Sequence, residues 1–144
     1  MTSTRHTAAA LSGEGAAAFG GRWNRVGTRV VYLADSLALA TLELAVHLVG
    51  ARVAYTAIEL ELPDDAVEML EVTSLRRSWP TDAAVTQRVG SEWVAAGRRL
   101  AMAVPSAVVD PRSGERNVLL NPAHPAMSDV VEVRRFAVML DQRL

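Results

Sequence analysis

Short apolar runs that are rich in β-branched and aromatic residues, and that end at turn residues, predict the strands of this chain. The run TRVVYLA (28–34) is one of them, and its alternation places Arg29 and Tyr32 on opposite faces. Further predicted strands are RVAYTAIELEL (52–62), LAMAVPSAVV (100–109), NVLLNP (117–122) and VVEVRRFAVMLD (130–141). Pro105 lacks a backbone N–H, so it favours an edge or bulged position for the strand that contains it.

The longest apolar run, LALATLELAVHLV (37–49), predicts a helix that is buried on most sides and is capped by Asp35 or Ser36. Glu43 and His47 interrupt it and lie four residues apart, so they share one face. A Glu and His pair that faces solvent is one interpretation, since charged side chains are usually exposed. A carboxylate among so many apolar neighbours is otherwise paired or functional, because burying it alone is costly.

A second helix is predicted over TDAAVTQRVGSEWVAAGRR (81–99), where Gly90 weakens the middle and favours a break. Before it, residues 66–73 predict an irregular or helical stretch. The loop SLRRSWPT (74–81) is expected to expose Trp79. With no internal repeat or linker, the pattern predicts one α+β domain with mixed or antiparallel sheets and flanking helices.

The loop GGRWN (20–24) comes just before the first of these strands, and its two glycines allow close approach to a ligand. Arg22 offers a planar fork of donors that suits a phosphate group. Arg22, Tyr32 and Glu43 therefore lie on a loop, a strand and a helix that follow one another, which is the layout of a site.

Composition narrows the class of protein without identifying it. The chain has 144 residues, of which 50% are hydrophobic, enough for the core of one domain. A net charge of -1 gives no general basic surface for nucleic acid. With no cysteine and with His6, His47 and His124 far apart, no metal site is expected. The sequence also has no membrane-spanning run and no secretory signal, so a cytoplasmic protein is expected.

The pattern GGRWN, then VVYLA, then LELAVHL resembles the RES domain, the toxin component of RES-Xre toxin–antitoxin systems. The resemblance continues through VPSAVV (104–109), NVLLNPAHP (117–125) and FAVMLDQRL (136–144), so that it covers residues 1–144 as one RES domain. The family is named for an arginine, a glutamate and a serine, which match Arg22, Glu43 and Ser106. Tyr32 matches the family's site tyrosine.

The resemblance implies a fold like that of ADP-ribosyltransferases and the cleavage of NAD+, as substrate rather than cofactor, between nicotinamide and ribose. Glu43 would stabilise the positive charge that develops on the ribose, and Arg22 would hold the pyrophosphate. Tyr32 would offer a flat face to a base, while Ser106 would bond a ribose or orient Glu43.

Three further residues are assigned supporting roles near the substrate. Trp23 and Asn24 flank the arginine and are expected to shape the loop that binds the dinucleotide. His47 is expected to bond Glu43, to line the pocket or merely to pack in the core. Surfaces around Trp23 and Trp79 are candidate contacts for an Xre-like antitoxin, and a homodimer within the complex is also considered.

Three functions remain open from the sequence. The first is a toxin that degrades NAD+ by hydrolysis or phosphorolysis and so arrests growth. The second is a mono-ADP-ribosyltransferase that modifies a host protein, and the third is a non-enzymatic nucleotide-binding module. One departure from the family pattern is also present: only residues 1–5 precede His6, so the family's leading strand is expected to be missing or shortened.

Overall fold

Seven strands and three α-helices make up the regular structure of the described chain, which the computed structural model gives for residues 1–46, 54–63 and 65–140. The strands are β1 (Thr2–Ser3), β2 (Val31–Ala34), β3 (Tyr55–Glu61), β4 (Val67–Met69), β5 (Ala101–Pro105), β6 (Arg116–Leu120) and β7 (Val131–Val138). The helices are α1 (Glu14–Phe19), α2 (Leu37–Ala45) and α3 (Ala83–Ala96). Short 3₁₀ turns cover Thr4–Ala9, Val72–Ser74, Pro111–Ser113 and Pro125–Asp129.

The strands form two sheets, one of three strands in the order β1-β3-β7 and one of four in the order β2-β6-β5-β4. All pairs are antiparallel except β4 with β5, which are parallel. The predicted α+β class with mixed sheets is confirmed. The prediction of an irregular or helical stretch at 66–73 is wrong where β4 forms, because a three-residue strand is too short to show alternation.

Strand β5 occupies an interior position between β6 and β4, so the edge predicted from Pro105 is wrong. The register explains why proline is tolerated there. Strand β4 pairs only with residues Ala101 to Ala103, so Pro105 lies beyond it and faces a single neighbour, Arg116 of β6. The missing N–H of Pro105 therefore lies beyond the end of the pairing between β4 and β5, so no hydrogen bond to β4 is lost. Every residue of β5 is buried, which makes this strand the centre of the core.

Helix α2 begins as predicted, with Ser36 as its cap: the Ser36 Oγ accepts a hydrogen bond from the Leu39 N–H at 3.0 Å. The expected burial on most sides is wrong for the described part of this helix. Leu39 is fully buried, but Leu37 and Leu42 remain exposed. The predicted continuation to residue 49 lies outside the described residues beyond Val46.

Helix α3 runs without interruption through Gly90, so the predicted break is wrong. A Cβ atom at this position would lie 1.9 Å from the carbonyl oxygen of Trp23. The residue is glycine because the loop backbone packs directly on the helix there. Gly90 is thus a contact point between α3 and the GGRWN loop.

Trp23 and Trp79 are core residues, with only 1% and 5% of their surfaces exposed. Their ring centroids lie 6.2 Å apart, and both pack in one cluster with Trp93 and Met102. The predicted exposure of Trp79 is therefore wrong, while the surfaces around the two residues stay predicted contacts for a partner. Burying a large aromatic ring is strongly favourable, and a neighbouring ring adds to this stabilisation.

The three-stranded sheet is more exposed. Glu59 and Glu61 lie on its solvent side, and Glu59 pairs with Arg134 across to β7. Strand β1 contributes two residues at one edge. Within the described ranges, no helix is long and apolar enough to cross a membrane.

Candidate active site

A cleft of about 630 Å³ lies between the GGRWN loop, strand β2, helix α2 and the start of β6. This volume falls within the range of roughly 300–1,000 Å³ that is usual for small-molecule sites. Most of the wall is apolar, and the residues that bring polar groups or aromatic rings to it include Phe19, Gly21, Arg22, Tyr32, Glu43 and Asn117. The structure thereby brings Arg22, Tyr32 and Glu43 into one cavity.

The carboxylate of Glu43 is held by two side chains from the four-stranded sheet. The Ser106 hydroxyl donates to Oε1 at 2.6 Å, and the Asn117 Nδ2 donates to the same oxygen at 2.5 Å. Hydrogen bonds to an ionised acceptor are short and strong, so this pair fixes the orientation of the carboxylate. No described residue donates a hydrogen bond to Oε2.

Ser106 follows directly after β5 and is only 1% exposed. Its Oγ accepts hydrogen bonds from the N–H groups of Val108 at 2.9 Å and Val109 at 3.3 Å. Since these donors occupy the oxygen lone pairs, the hydroxyl proton is directed to Glu43. Of the two predicted alternatives, bonding a ribose or orienting Glu43, this geometry corresponds to the second.

Asn117 belongs to the site but was not singled out from the sequence. It lies at the beginning of β6, opposite Ala34 of β2 and Val104 of β5. An asparagine just before an apolar run usually marks a turn, so its position in the sequence carries no functional signal. The informative feature is the sheet order, which places an amide between two apolar strands directly beneath Glu43.

Arg22 lies in the loop after α1, and its guanidinium makes one weak contact, from Nη1 to the Trp79 carbonyl at 3.4 Å. No carboxylate of the described residues forms an ion pair with it. A half-buried arginine that lines a cleft without a carboxylate partner retains donors for an anionic ligand.

Tyr32 contributes its ring to the cleft and its hydroxyl to the loop. The hydroxyl donates to the Asn24 Oδ1 at 2.7 Å and accepts from the Trp23 N–H at 2.9 Å. Burial raises the pKa of Tyr32 to about 12, although hydrogen bonding from the backbone of Trp23 and Asn24 acts in the opposite direction. The phenol thus stays neutral near pH 7 and has a structural role.

Asn24 is completely buried and lies behind the cleft wall instead of in it. Its Nδ2 donates to the carbonyls of Ala16 at 2.8 Å and Thr28 at 2.9 Å, which ties both ends of the loop together. Trp23 reaches the wall while most of its ring packs in the core. Both residues shape the loop.

His47, the remaining predicted site residue, lies outside the described residues, so its roles stay predictions. Within the described ranges, no three histidine or acidic side chains are grouped so as to hold a metal ion.

Comparisons with known proteins place this chain in a family. Residues 2–141 match the model of the RES domain. The chain is 32% identical to Toxin Res of Photorhabdus laumondii over all of its own length and 94% of the relative. It is 42% identical to the Prs ADP-ribosylating toxin of a Sphingobium species, covering 80% of this chain and 74% of that protein.

The fold also matches a solved structure. A chain of the M. tuberculosis MbcT-MbcA toxin–antitoxin complex superposes with a TM-score of 0.66 at 23% identity, over 88% of this chain and 75% of that one. The family resemblance read from the motifs is thus confirmed over almost the whole chain, and the protein belongs to the RES domain family of toxins.

Proposed function

We propose that this toxin cleaves NAD+ at the bond between nicotinamide and ribose. The observation that carries the proposal is the carboxylate of Glu43, which is fixed through Oε1 and receives no hydrogen bond at Oε2 from the described residues. It lies in the same cleft as the guanidinium of Arg22, which forms no ion pair with a carboxylate of the described residues. A fixed anion opposite a free cation suits a ligand that develops positive charge at one end and carries phosphates at the other.

The chemistry balances with residues of this chain, NAD+ and an external acceptor. As the C–N bond breaks, nicotinamide leaves with the electron pair, and positive charge develops on the ribose. Glu43 stabilises that charge through the Oε2 side of its carboxylate and can also hold a ribose hydroxyl. An oxygen of the acceptor then bonds to the ribose carbon, and the proton of that acceptor passes to solvent.

Binding is divided between the other residues of the cleft. Arg22 provides a bidentate fork for the pyrophosphate, and the ring of Tyr32 offers a flat surface to nicotinamide or adenine. Ser106 and Asn117 act through Glu43, so we assign them as positioning residues. NAD+ is the substrate in this scheme, and no separate cofactor is invoked.

A second candidate function uses the same cleft with a protein as acceptor. The similarity to an ADP-ribosylating toxin of Sphingobium at 42% identity favours ADP-ribosyl transfer as a serious alternative to hydrolysis and phosphorolysis. The three reactions share their first bond cleavage and differ in the nucleophile that attacks the ribose, which is water, phosphate or a protein side chain.

The products distinguish these reactions. Purified protein is incubated with NAD+ alone, with phosphate added, and with a cell extract, and the products are identified by NMR and mass spectrometry. Free ADP-ribose indicates hydrolysis, a phosphorylated ADP-ribose that forms only with phosphate indicates phosphorolysis, and added mass on a protein indicates transfer. Intact NAD+ in all three incubations would refute the proposed activity and leave the nucleotide-binding module in its place.

We also propose that an Xre-like antitoxin binds this toxin, with a homodimer of the toxin in the complex. Support for an antitoxin partner comes from the fold shared with a chain of the MbcT-MbcA toxin–antitoxin complex. In cells, expression of the toxin alone should lower the NAD+ level and arrest growth, and co-expression of the cognate antitoxin should restore both. Arrest at an unchanged NAD+ level would separate toxicity from the proposed cleavage.

A further inference from the structure

The backbone around Arg22 is almost fully hydrogen-bonded, with one exception. From the N–H of Gly21 to the N–H of Trp23, each polar group but one has a partner. These bonds are Gly21 N–H to the Asn24 carbonyl at 3.0 Å, Gln87 Nε2 to the Gly21 carbonyl at 2.9 Å, Thr86 Oγ1 to the Arg22 carbonyl at 2.5 Å and Trp23 N–H to the Tyr32 hydroxyl at 2.9 Å. The remaining group is the N–H of Arg22, to which no described residue offers an acceptor.

Peptide geometry gives the direction of this free donor. In a planar trans peptide, the carbonyl and the following N–H point in opposite directions. The Gly21 carbonyl is bonded to Gln87 on α3, so the N–H of Arg22 points away from that helix. Gly21 and Arg22 both line the cleft. An unpaired backbone donor at a cleft wall is a group that a ligand can satisfy.

Helix α3 holds the loop along a single face. Thr86 and Gln87 bond the two carbonyls, Gly90 packs against the Trp23 carbonyl, and the Ser91 Oγ accepts from the Arg25 N–H at 3.0 Å. Residues 86 and 90, and likewise 87 and 91, are four apart and lie one above the other on the helix. A rigid 14-residue helix thus sets the path of the arginine loop.

We infer that Thr86 and Gln87 are positioning residues for an anion site at Arg22, formed by the backbone N–H of Arg22 together with its guanidinium. Two convergent donors, one of them charged, suit a diphosphate oxygen. In identifying the anion as the pyrophosphate of NAD+, this inference rests on the proposed function. The site itself requires only a diphosphate and does not depend on turnover.

The contact from Thr86 is the stronger of the two constraints. Its hydroxyl is completely buried and lies 2.5 Å from the Arg22 carbonyl, compared with 3.1 Å from the Ala83 carbonyl of its own helix. Gln87 is only half-buried, yet its bond sets the peptide that carries the free N–H. Loss of either bond lets a peptide beside Arg22 rotate and misaligns one donor.

The test measures binding of ADP, which carries a diphosphate, and of nicotinamide, which does not. Calorimetry is performed on wild type, Thr86→Val, Gln87→Met and the restoring variant Thr86→Ser, with Glu92→Gln as a control on the exposed side of α3. NMR of the amide groups, in a chain of 15.5 kDa, follows the Arg22 N–H directly. Thermal unfolding confirms that each variant is folded.

We expect Thr86→Val and Gln87→Met each to lower the affinity for ADP roughly fivefold, the effect of one hydrogen bond. Thr86→Ser and Glu92→Gln should bind like wild type, and nicotinamide binding should be equal in all variants. The Arg22 amide proton should shift downfield with ADP and not with nicotinamide. Unchanged ADP affinity in both variants, or an Arg22 amide that does not respond, would overturn the inference. ADP binding with these properties in a protein that leaves NAD+ intact would refute the proposed function alone.

Discussion

The two charged residues of the candidate site are held in opposite ways. For Glu43, the reactive group itself is fixed, because Ser106 and Asn117 both donate to its Oε1. For Arg22, the main chain is fixed by α3, whereas the one hydrogen bond that its guanidinium makes to the described residues is a 3.4 Å contact with the Trp79 carbonyl. At one end of the cleft the carboxylate itself is thus held in place. At the other end the backbone of Arg22 is held in place, while its guanidinium is less constrained.

This difference corresponds to two tasks. A carboxylate that stabilises developing charge is effective only if it is already oriented, since reorientation during the reaction would cost energy. An arginine that captures a phosphate has to follow an entering ligand, so a fixed backbone and a free side chain are appropriate. Substitutions at the first end should change the rate constant, and substitutions at the second should change substrate affinity.

The largest effect is expected from Glu43→Gln. Glutamine preserves the volume and keeps an oxygen for Ser106 and Asn117, but it removes the negative charge. We expect kcat for NAD+ cleavage to fall by about 10²–10³, the usual loss for an electrostatic group in an active site, with thermal stability nearly unchanged. Steady-state kinetics and thermal unfolding provide the measurements.

Glu61→Gln is the matched control, because Glu61 is an exposed carboxylate on β3 that does not line the cleft. It should leave kcat and toxicity at the wild-type level. Should Glu43→Gln retain full activity, the carboxylate of Glu43 would not be the reactive group, and the Glu43 end of the cleft would not determine the rate constant.

Gly90→Ala tests whether α3 fixes the loop backbone that carries Arg22. The new methyl group would meet the Trp23 carbonyl at 1.9 Å, and neither a helix nor a loop backbone yields easily. Overpacking of this kind should lower the free energy of unfolding by about 2–3 kcal/mol, as measured in urea. Gly15→Ala in α1 is the control, since nothing lies within 4 Å of its Cβ position. Gly15→Ala should be neutral or slightly stabilising. Equal stability of the two variants would mean that α3 does not fix the loop.

The contrast between Gly90 and Glu43 also indicates how far the sequence could predict this molecule. Local signals located most strands, the Ser36 cap and the α+β class, because alternation and capping depend on neighbouring residues. The family motifs identified Arg22, Glu43 and Ser106 as site residues. Gly90 was interpreted as a weak point in a helix, since its real constraint comes from a carbonyl 67 residues away in sequence.

Asn117 and Thr86 were missed for the same reason. The hydrogen bond from Asn117 to Glu43 spans 74 residues, and that from Thr86 to Arg22 spans 64. Pairings at such separations leave no periodic pattern in the sequence. They become visible only when sheet order and helix docking are known, and here those are the contacts that hold both ends of the cleft.

Arg22→Lys addresses the free end directly. Lysine keeps the charge but replaces a planar fork with a point charge, so a bidentate bond to phosphate is lost. We expect KM for NAD+ to rise about tenfold while kcat falls by less than threefold, because roughly one charge-assisted hydrogen bond is removed. Initial-rate measurements over a range of NAD+ concentrations separate the two constants. A fall in kcat at constant KM would instead place Arg22 in the chemical step, alongside Glu43.

The smallest effect concerns Tyr32, which links the two ends by lining the cleft and bonding the Trp23 N–H. Burial raises the pKa of its phenol to about 12, against an ordinary value of 10.0. The folded state therefore holds the proton more tightly than the unfolded chain does. The stabilisation that the protonated phenol contributes is complete below pH 10 and is lost as the pH rises through about 12.

Tyr32→Phe has no phenol to titrate, so its free energy of unfolding should lie below that of wild type by a margin that narrows between pH 10 and pH 12. Urea unfolding of both proteins across this range gives that margin. A margin independent of pH would indicate that the phenol is solvated and does not hold the Arg22 loop to the strand beneath it.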